Sequence, residues 1–589
     1  MFRFVLPLFS CIALAACGEG NSSNAPQTAE PEKPAVSAKT TPYVVATAHP
    51  LATKAGEDIL AQGGSAVDAA VAVQAVLSLV EPQSSGLAGG AFLLHYDPST
   101  DELVSYDGRE IAPASASPDM FLKEDGKTVG FYDAVTGGHS VGVPGVVAML
   151  DMAHKEHGAL ELRELLKPAR ALAENGFEVT PRMHNSIARM TGRGRLGDVE
   201  PAASYFMVDG EPLPVGHLLK NPAYAETLEH YAALGAPAFY TGPVAEGIIE
   251  AVNQRTGEET LVLTDFTRYA PVKREPLCVT YRSKKVCSMG PPSSGGTTVL
   301  QILKLLEATD FADEAPASPT SWHMLLEASR LAYADRNLYL ADPDYMRLGD
   351  LKAEELLEGL LNEAYLQERA TAILKDRSAV DVAPGDPAPF IAGTEALGKD
   401  ASPEPPSTSH FSIMDGQGRV VSMTTSVEFP FGSHLMAGGM ILNNQLTDFS
   451  FLPEQDGKPV ANAPAAGKRP RSSMSPVIIF NEDGSVYGAL GSPGGPAIIG
   501  YVAKTIVAHL DWGMSLQDAI DAPNIVVPRG GVLVEEDRLD AERLDALKAF
   551  GHEPSERALT SGVYGYVITP DGIQGGADKR REGTVAIGE

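Results

Sequence analysis

The stretch 407–433, STSHFSIMDGQGRVVSMTTSVEFPFGS, with ILNNQLTDFS at 441–450, decides how this chain is read. Phe411 and Ile413, then Val420, Val421 and Met423, have strand character, and Asp415-Gly416-Gln417-Gly418 is a turn between them. The pattern predicts a buried hairpin. Thr408, Ser409 and His410 head its first strand, and the Pro-rich coil PEPPS at 403–407 runs into them. A hydroxyl at the start of a strand, behind a flexible segment, is the arrangement a self-cleaving N-terminal nucleophile needs. The hydroxyl attacks the preceding carbonyl, the coil is released, and the new α-amine lies beside the same side chain. Such an amine has a reference pKa of about 7.7–8, so it serves as base for its own hydroxyl near neutral pH.

Around this stretch, 589 residues suffice for one large enzyme unit. A net charge of −30 argues against nucleic acid and against docking on anionic lipid. The N-terminus has Arg3, an apolar run over 4–16, and Leu14-Ala15-Ala16-Cys17. That run is too short to span a bilayer and reads as a secretion signal over 1–16. The L-A-A-C ending resembles a bacterial lipobox, with cleavage before Cys17 and lipid on its sulfur. Several acyl chains there anchor a protein firmly where one does not. Gly18 points to the outer membrane, on the periplasmic side. Residues 17–41 lack large apolar side chains and read as a disordered tether. Cys278 and Cys287 bracket VTYRSKKV, a two-strand hairpin across which an oxidising periplasm allows a disulfide. No other Cys or His lies near them, and His154 and His157 have no third ligand, so no metal and no cofactor is expected.

Taken in order, the fold begins near Tyr43 with a strand, followed by helices over 51–62 and 66–80, the second nearly all apolar. The glycine-rich 84–90 precedes a strand, AFLLHY, which is the wrong order for a P-loop and reads as close backbone packing. Arg109 directly follows a strand. Helical patterns dominate 144–380, among them 146–157, 160–174, 223–234 and 244–254. The stretches 291–296 and 333–344 read as architecture, and 383–406 as a linker. Beyond Asp448 come 468–476, KRPRSSMSP, the strands VIIF and VYGAL, and Gly491-Ser492-Pro493-Gly494-Gly495 ahead of a helix over 497–510. Glycines before a helix leave backbone N–H groups for an anion or a developing oxyanion.

Several of these stretches together resemble the γ-glutamyltransferases, also called glutathione hydrolases, over about 43–589. The resemblance rests on Thr408-Ser409-His410-Phe411-Ser412, Phe431-Gly432, Leu442-Asn443-Asn444-Gln445 with Asp448-Phe449, Arg109-Glu110-Ile111-Ala112-Pro113, the run 469–476 and the run 491–495. Two further stretches, 66–72 and 85–90, also match. It implies an α/β (α+β) N-terminal-nucleophile hydrolase: an αββα sandwich of two stacked, mostly antiparallel sheets flanked by helices. It also implies cleavage between Ser407 and Thr408 into a large subunit, 42–407, and a small one, 408–589, that stay packed as one unit. Thr408 is then the nucleophile, supported by Ser426 where threonine is usual, with Gly494 and Gly495 as oxyanion hole. Arg109, Ser472 and Ser473 hold the substrate α-carboxylate, and Gln445, Asp448 and Glu428 face its α-amine.

Glu428 stands where the family usually has asparagine. A second carboxylate there either strengthens ammonium binding or raises one pKa and remodels the pocket. The loop 449–468 has no tyrosine where some relatives carry a lid, so a more open pocket is expected. The implied partners are a glutathione-like γ-glutamyl compound and water, an amino acid or a peptide as acceptor. An acylase for glutaryl-type amides, as in cephalosporin acylases, is the alternative, although such substrates bring no α-amine to Gln445, Asp448 and Glu428. A non-catalytic lipoprotein is a third reading, against which Thr408, Arg109 and both glycines speak.

Overall fold

Thirteen strands form the two main sheets of the computed structural model, which describes 42–588 except 194, 347–350, 388–396, 403–406 and 529. The signal segment, Cys17, the tether and most of PEPPS lie outside the described residues. In chain order the strands are β1 (Tyr43–Thr47), β2 (Gly90–Asp97), β3 (Glu102–Gly108), β4 (Val272–Arg274), β5 (Leu277–Tyr281) and β6 (Lys284–Ser288). Then come the hairpin strands β7 (Ser409–Met414) and β8 (Val420–Ser426), followed by β9 (Val477–Phe480), β10 (Val486–Gly491), β11 (Tyr564–Thr569), β12 (Gly572–Ala577) and β13 (Thr584–Gly588). One sheet runs β13-β1-β7-β8-β2-β3-β4 and the other β12-β11-β10-β9-β6-β5. Every pairing in both is antiparallel.

The hairpin forms as expected, with Ser409 opposite Thr425 and Met414 opposite Val420. Asp415 fastens its turn: the carboxylate accepts from the N–H groups of Gln417, Arg419 and Ala66. Alternation along β7 and β8 then sends side chains to two different layers. Phe411, Ile413, Val421 and Met423 join the core with the helices α1 (Pro50–Ala61), α2 (Ala66–Val80) and α3 (Val146–His157). Met414 and Val420 point the other way, to Ile478, Ala489 and Tyr566 of the second sheet. The second sheet's outer face packs on further helices: α4 (Gly295–Glu307), α5 (Pro319–Tyr339) and α6 (Ile498–Leu510). The order helix, sheet, sheet, helix is the expected αββα sandwich.

Both sheets mix strands from either side of the 407–408 bond. The hairpin sits between β1 and β2, and β9 pairs with β6. Each large apolar side chain buried on the hairpin is worth roughly 1.5–3 kcal/mol, which would hold the two sides together were that bond cut. The glycines at 84–90 serve close approach, as expected: a Cβ on Gly89 would lie 2.2 Å from the Ser426 carbonyl oxygen, and one on Gly90 2.0 Å from Glu110. Cys278 and Cys287 sit directly opposite one another on β5 and β6, with sulfurs 2.10 Å apart in a disulfide. His154 bonds the Leu160 carbonyl, and His157 the Tyr106 hydroxyl, both part-buried.

Candidate active site

Thr408 stands at the mouth of β7, 2% exposed, and takes φ +128°. A β-branched residue is strained in that region, a cost of order 1–3 kcal/mol placed at the bond expected to break. Neighbours on every side hold it there. Ser407 Oγ donates to the Gln83 carbonyl at 2.5 Å, and the Thr408 carbonyl accepts from Arg581 Nη1 at 2.9 Å. Thr408 Oγ lies 3.2 Å from Ser426 Oγ, which also accepts from the Glu428 N–H at 2.9 Å. Ser426 is the last residue of β8, so strand register brings its hydroxyl to the nucleophile.

Below the nucleophile is a layer that sequence reasoning missed. Ser409 points to the helix side and donates to Glu81 at 2.7 Å, and Ser85 donates to Ser409 at 3.1 Å. Glu81 caps α2 and pairs with Arg182 at 3.0 Å. Burial, with Arg182 nearby, pulls Arg581 down to about 10, so it remains a cation at neutral pH. The one local signal for Glu81 was an acid ending an otherwise apolar helix; Arg182 and Arg581 had none. His410, two residues past the nucleophile, is no base. Burial holds it down to about 3, and its ring nitrogens bond Thr424 and Ser412 between the sheets.

The substrate-side residues gather around one pocket, lined by Thr408, Ser426, Glu428, Gln445, Asp448, Arg471, Ser472, Ser473, Met474, Gly495 and Ile498. Arg109 stands behind this wall, fully buried. Its Nε donates to the Pro470 carbonyl at 3.0 Å, and its Nη2 to the Arg471 carbonyl at 3.1 Å and to Asp448. Nη1 makes no hydrogen bond and lies 3.6 Å from Glu110. Burial alone pulls Arg109 down, but Asp448 and Glu110 more than offset it, so its pKa is raised. Burial pushes Glu110 up to about 8 against the pull of Arg109. Gln445 Nε2 is 3.5 Å from Asp448, and Glu428 sits on the pocket wall with φ +79°.

Ser473 accepts from Arg336 of α5 at 2.7 Å, and the same guanidinium reaches Ser294 at 2.8 Å. The 333–344 stretch is therefore more than architecture: it braces a pocket serine. The linker is likewise pinned where it is described, with Asp400 2.7 Å from Arg471. No residue of the loop 449–468 lines the pocket. Gly494 and Gly495 take φ of +137° and +57°, and a Cβ on Gly494 would lie 2.7 Å from the Tyr501 ring. The helix behind them begins at Ile498 after one 3-10 turn, Gly495–Ala497, slightly later than the pattern predicted. Of the expected residues, the structure collects all but five around the pocket or its scissile bond. Arg109 and Gly494 lie one residue behind its wall, the cysteine pair is on the second sheet, and Cys17 is outside the described residues.

A strained hydroxyl at a strand head, a peptide bond directly before it and a positive-φ glycine on the pocket wall, all on an αββα sandwich, define the N-terminal-nucleophile hydrolase class. Comparison with known proteins narrows this. The gamma-glutamyltranspeptidase profile matches residues 52–588, and the chain belongs to that family. It is 36% identical over 518 residues to the glutathione hydrolase proenzyme of Bacillus subtilis (strain 168), covering 87% of this chain and 85% of that one. It is 33% identical over 554 residues to the acylase ACY 1 proenzyme of Pseudomonas sp. (strain SE83), covering 92% and 93%. Among solved structures, cephalosporin acylase from Bacillus halodurans superposes with a TM-score of 0.80 at 26% identity, covering 95% of this chain and 98% of that one. The protein is thus an enzyme of this family, and the non-catalytic reading is set aside.

Proposed function

We propose that the protein cuts itself between Ser407 and Thr408 and then hydrolyses or transfers the γ-glutamyl group of glutathione-like amides. In the first reaction Thr408 Oγ adds to the Ser407 carbonyl carbon. The C–N bond breaks, leaving an ester on Oγ and a free α-amine on Thr408. Water hydrolyses the ester to a Ser407 carboxylate and restores the hydroxyl. Breaking that bond also releases the strained φ. In the second reaction the α-amine takes the hydroxyl proton and Oγ adds to the γ-carbonyl. The N–H groups of Gly494 and Gly495 stabilise the oxyanion, and the leaving amine departs with the proton. Water, or the amine of an amino acid or peptide, then takes the acyl group.

The observation that carries the γ-glutamyl reading is the direct contact of Arg109 with Asp448. The two groups that would hold a substrate's carboxylate and ammonium hold each other. A zwitterionic α-amino acid head exchanges this internal pair for two new ones, with no charge left over. A glutaryl head brings a carboxylate alone, so Arg109 turns to the substrate while Asp448 gains no ammonium in exchange. Taking one partner from a buried ion pair costs about 3–5 kcal/mol, a factor of ~10²–10⁴ in rate. Hydrolysis of a γ-glutamyl anilide and a glutaryl anilide tests this. The γ-glutamyl compound is expected to lead in kcat/KM by at least ~10²-fold. Equal rates, or a glutaryl preference, would instead favour the acylase reading, which draws support from the acylase ACY 1 and cephalosporin acylase relatives.

The N-terminal segment supports a lipoprotein on the periplasmic side of the outer membrane, held by lipid on Cys17. Metabolic labelling with a fatty-acid analogue, retained by the wild type and lost in Cys17→Ala, checks this.

A further inference from the structure

Helix α5 braces Ser473 near its C-terminal end and carries a second polar cluster near its start. His323 and Glu327, one turn apart on α5, meet His552 from beyond the cleavage point, and all three are buried. One donor atom from each lies within 4.8 Å of the others, the only such group of His, Cys, Asp and Glu among the described residues. His323 Nε2 is 2.7 Å from the Leu374 carbonyl oxygen. A carbonyl only accepts, so Nε2 carries the proton and Nδ1 keeps its lone pair. That lone pair faces His552 Nε2 at 2.7 Å. Glu327 Oε1 is 4.0 Å from His552 Nδ1, the other nitrogen of the same ring.

The surrounding groups hold the three donors in place. Arg330 donates to Glu327 Oε1 at 2.8 Å, and the Ala379 N–H to Oε2 at 2.8 Å. Phe550 stacks on His323 with ring centroids 4.4 Å apart. Leu374 and Ala379 bound a short segment whose middle, 375–377, is exposed, so one thickness of chain separates the cluster from solvent.

We propose that His323, Glu327 and His552 bind a divalent transition metal of the zinc type, which replaces the proton shared between the two imidazoles. Two imidazole nitrogens and a carboxylate are a zinc donor set, with a fourth position for water. The Leu374 carbonyl, Arg330 and the Ala379 N–H are the outer shell that fixes tautomer and carboxylate orientation. His323 and Glu327 belong to the piece before Thr408 and His552 to the piece after it. In the processed enzyme the metal therefore ties the two chains together, on the opposite end of α5 from the pocket. That tie between chains rests on self-cleavage; metal binding itself does not.

The test strips the purified full-length protein with chelator, adds back Zn²⁺ or Co²⁺, and follows metal content, melting and the Co²⁺ visible spectrum. The expected result is about one tightly held metal per molecule, a melting temperature raised by Zn²⁺, and ligand-field bands from Co²⁺. His552→Asn keeps the local shape and is expected to weaken binding by ~10–100-fold or more. Equally, uncut Thr408→Ala protein is expected to bind the metal as the wild type does, which separates this site from any failure of self-cleavage. Wild-type protein that holds no more metal than folded His552→Asn protein, with no Zn²⁺-dependent melting shift, would overturn the proposal.

Discussion

The two sides of the pocket are built from different materials. Around Thr408 the hydroxyl meets Ser426 at the end of β8, while Arg581 holds its carbonyl and the Gln83 carbonyl holds Ser407. Across the pocket the contacts are buried charges on loops, with Arg109 pairing to Asp448 339 residues away. The nucleophile side is set by strand register, which places a hydroxyl to within a fraction of a residue. The clamp side is set by charge balance, which holds only while every member is present. On the proposed mechanism, reaction class resides in the hairpin and substrate choice in the long-range pairs.

That contrast has consequences that mutation separates. Gly494→Ala acts on chemistry: the backbone is at φ +137° and the new Cβ meets the Tyr501 ring, so the oxyanion donors move. A fall in kcat of ~10²–10³-fold with little change in KM is expected from steady-state kinetics. An unchanged kcat would remove the glycines from the mechanism. Arg109→Lys acts on the clamp. Lysine keeps the charge but loses the planar fork, so kcat/KM for a γ-glutamyl anilide is expected to fall ~10²-fold while self-cleavage proceeds at its usual rate. Loss of cleavage in that variant would erase the division between the two sides.

Much of the nucleophile side was legible in the chain, because its cues are local. Strand character on both sides of Asp415-Gly416-Gln417-Gly418 marked the hairpin, and the uninterrupted apolar run marked α2. Gly89 and Gly90 were readable as close packing because glycines ahead of a strand have few other uses. Without the family motif, Arg109 would pass for a solvated arginine, since its burial depends on Asp448, Glu110 and the Pro470 carbonyl. Glu81, Arg182, Arg336 and Arg581 were missed for the same physical reason: each bonds a partner remote in sequence, and no periodicity records such a pairing. His323, Glu327 and His552 were hidden in the same way, because a helical His-x-x-x-Glu spacing is ordinary until a third residue arrives from another part of the fold.

Smaller effects sharpen the comparison. Ser426→Ala removes one hydrogen bond to the nucleophile, worth about 0.5–1.5 kcal/mol, so both cleavage and turnover are expected to slow by roughly 2–10-fold, with Ser426→Thr close to wild type. A time course on denaturing gels alongside anilide hydrolysis measures both. The smallest effect concerns Glu110, whose pKa rises from 4.5 to about 8 on folding. The folded carboxyl keeps a proton that the unfolded chain releases. Its stabilising effect is full below about 4.5 and is lost as pH rises through about 8. Glu110→Gln cannot titrate, so melting temperatures of wild type relative to this variant are expected to decline between those limits. Parallel curves would show that Glu110 is ionised in the fold.

The most direct test of the whole account is the intact mass and N-terminal sequence of the purified protein, wild type beside Thr408→Ala. The account predicts two wild-type chains, the smaller starting at Thr408 with a free α-amine, and a single uncut, inactive chain for the variant. A variant that still divides at the same bond, or that turns over a γ-glutamyl anilide at the wild-type rate, would contradict it.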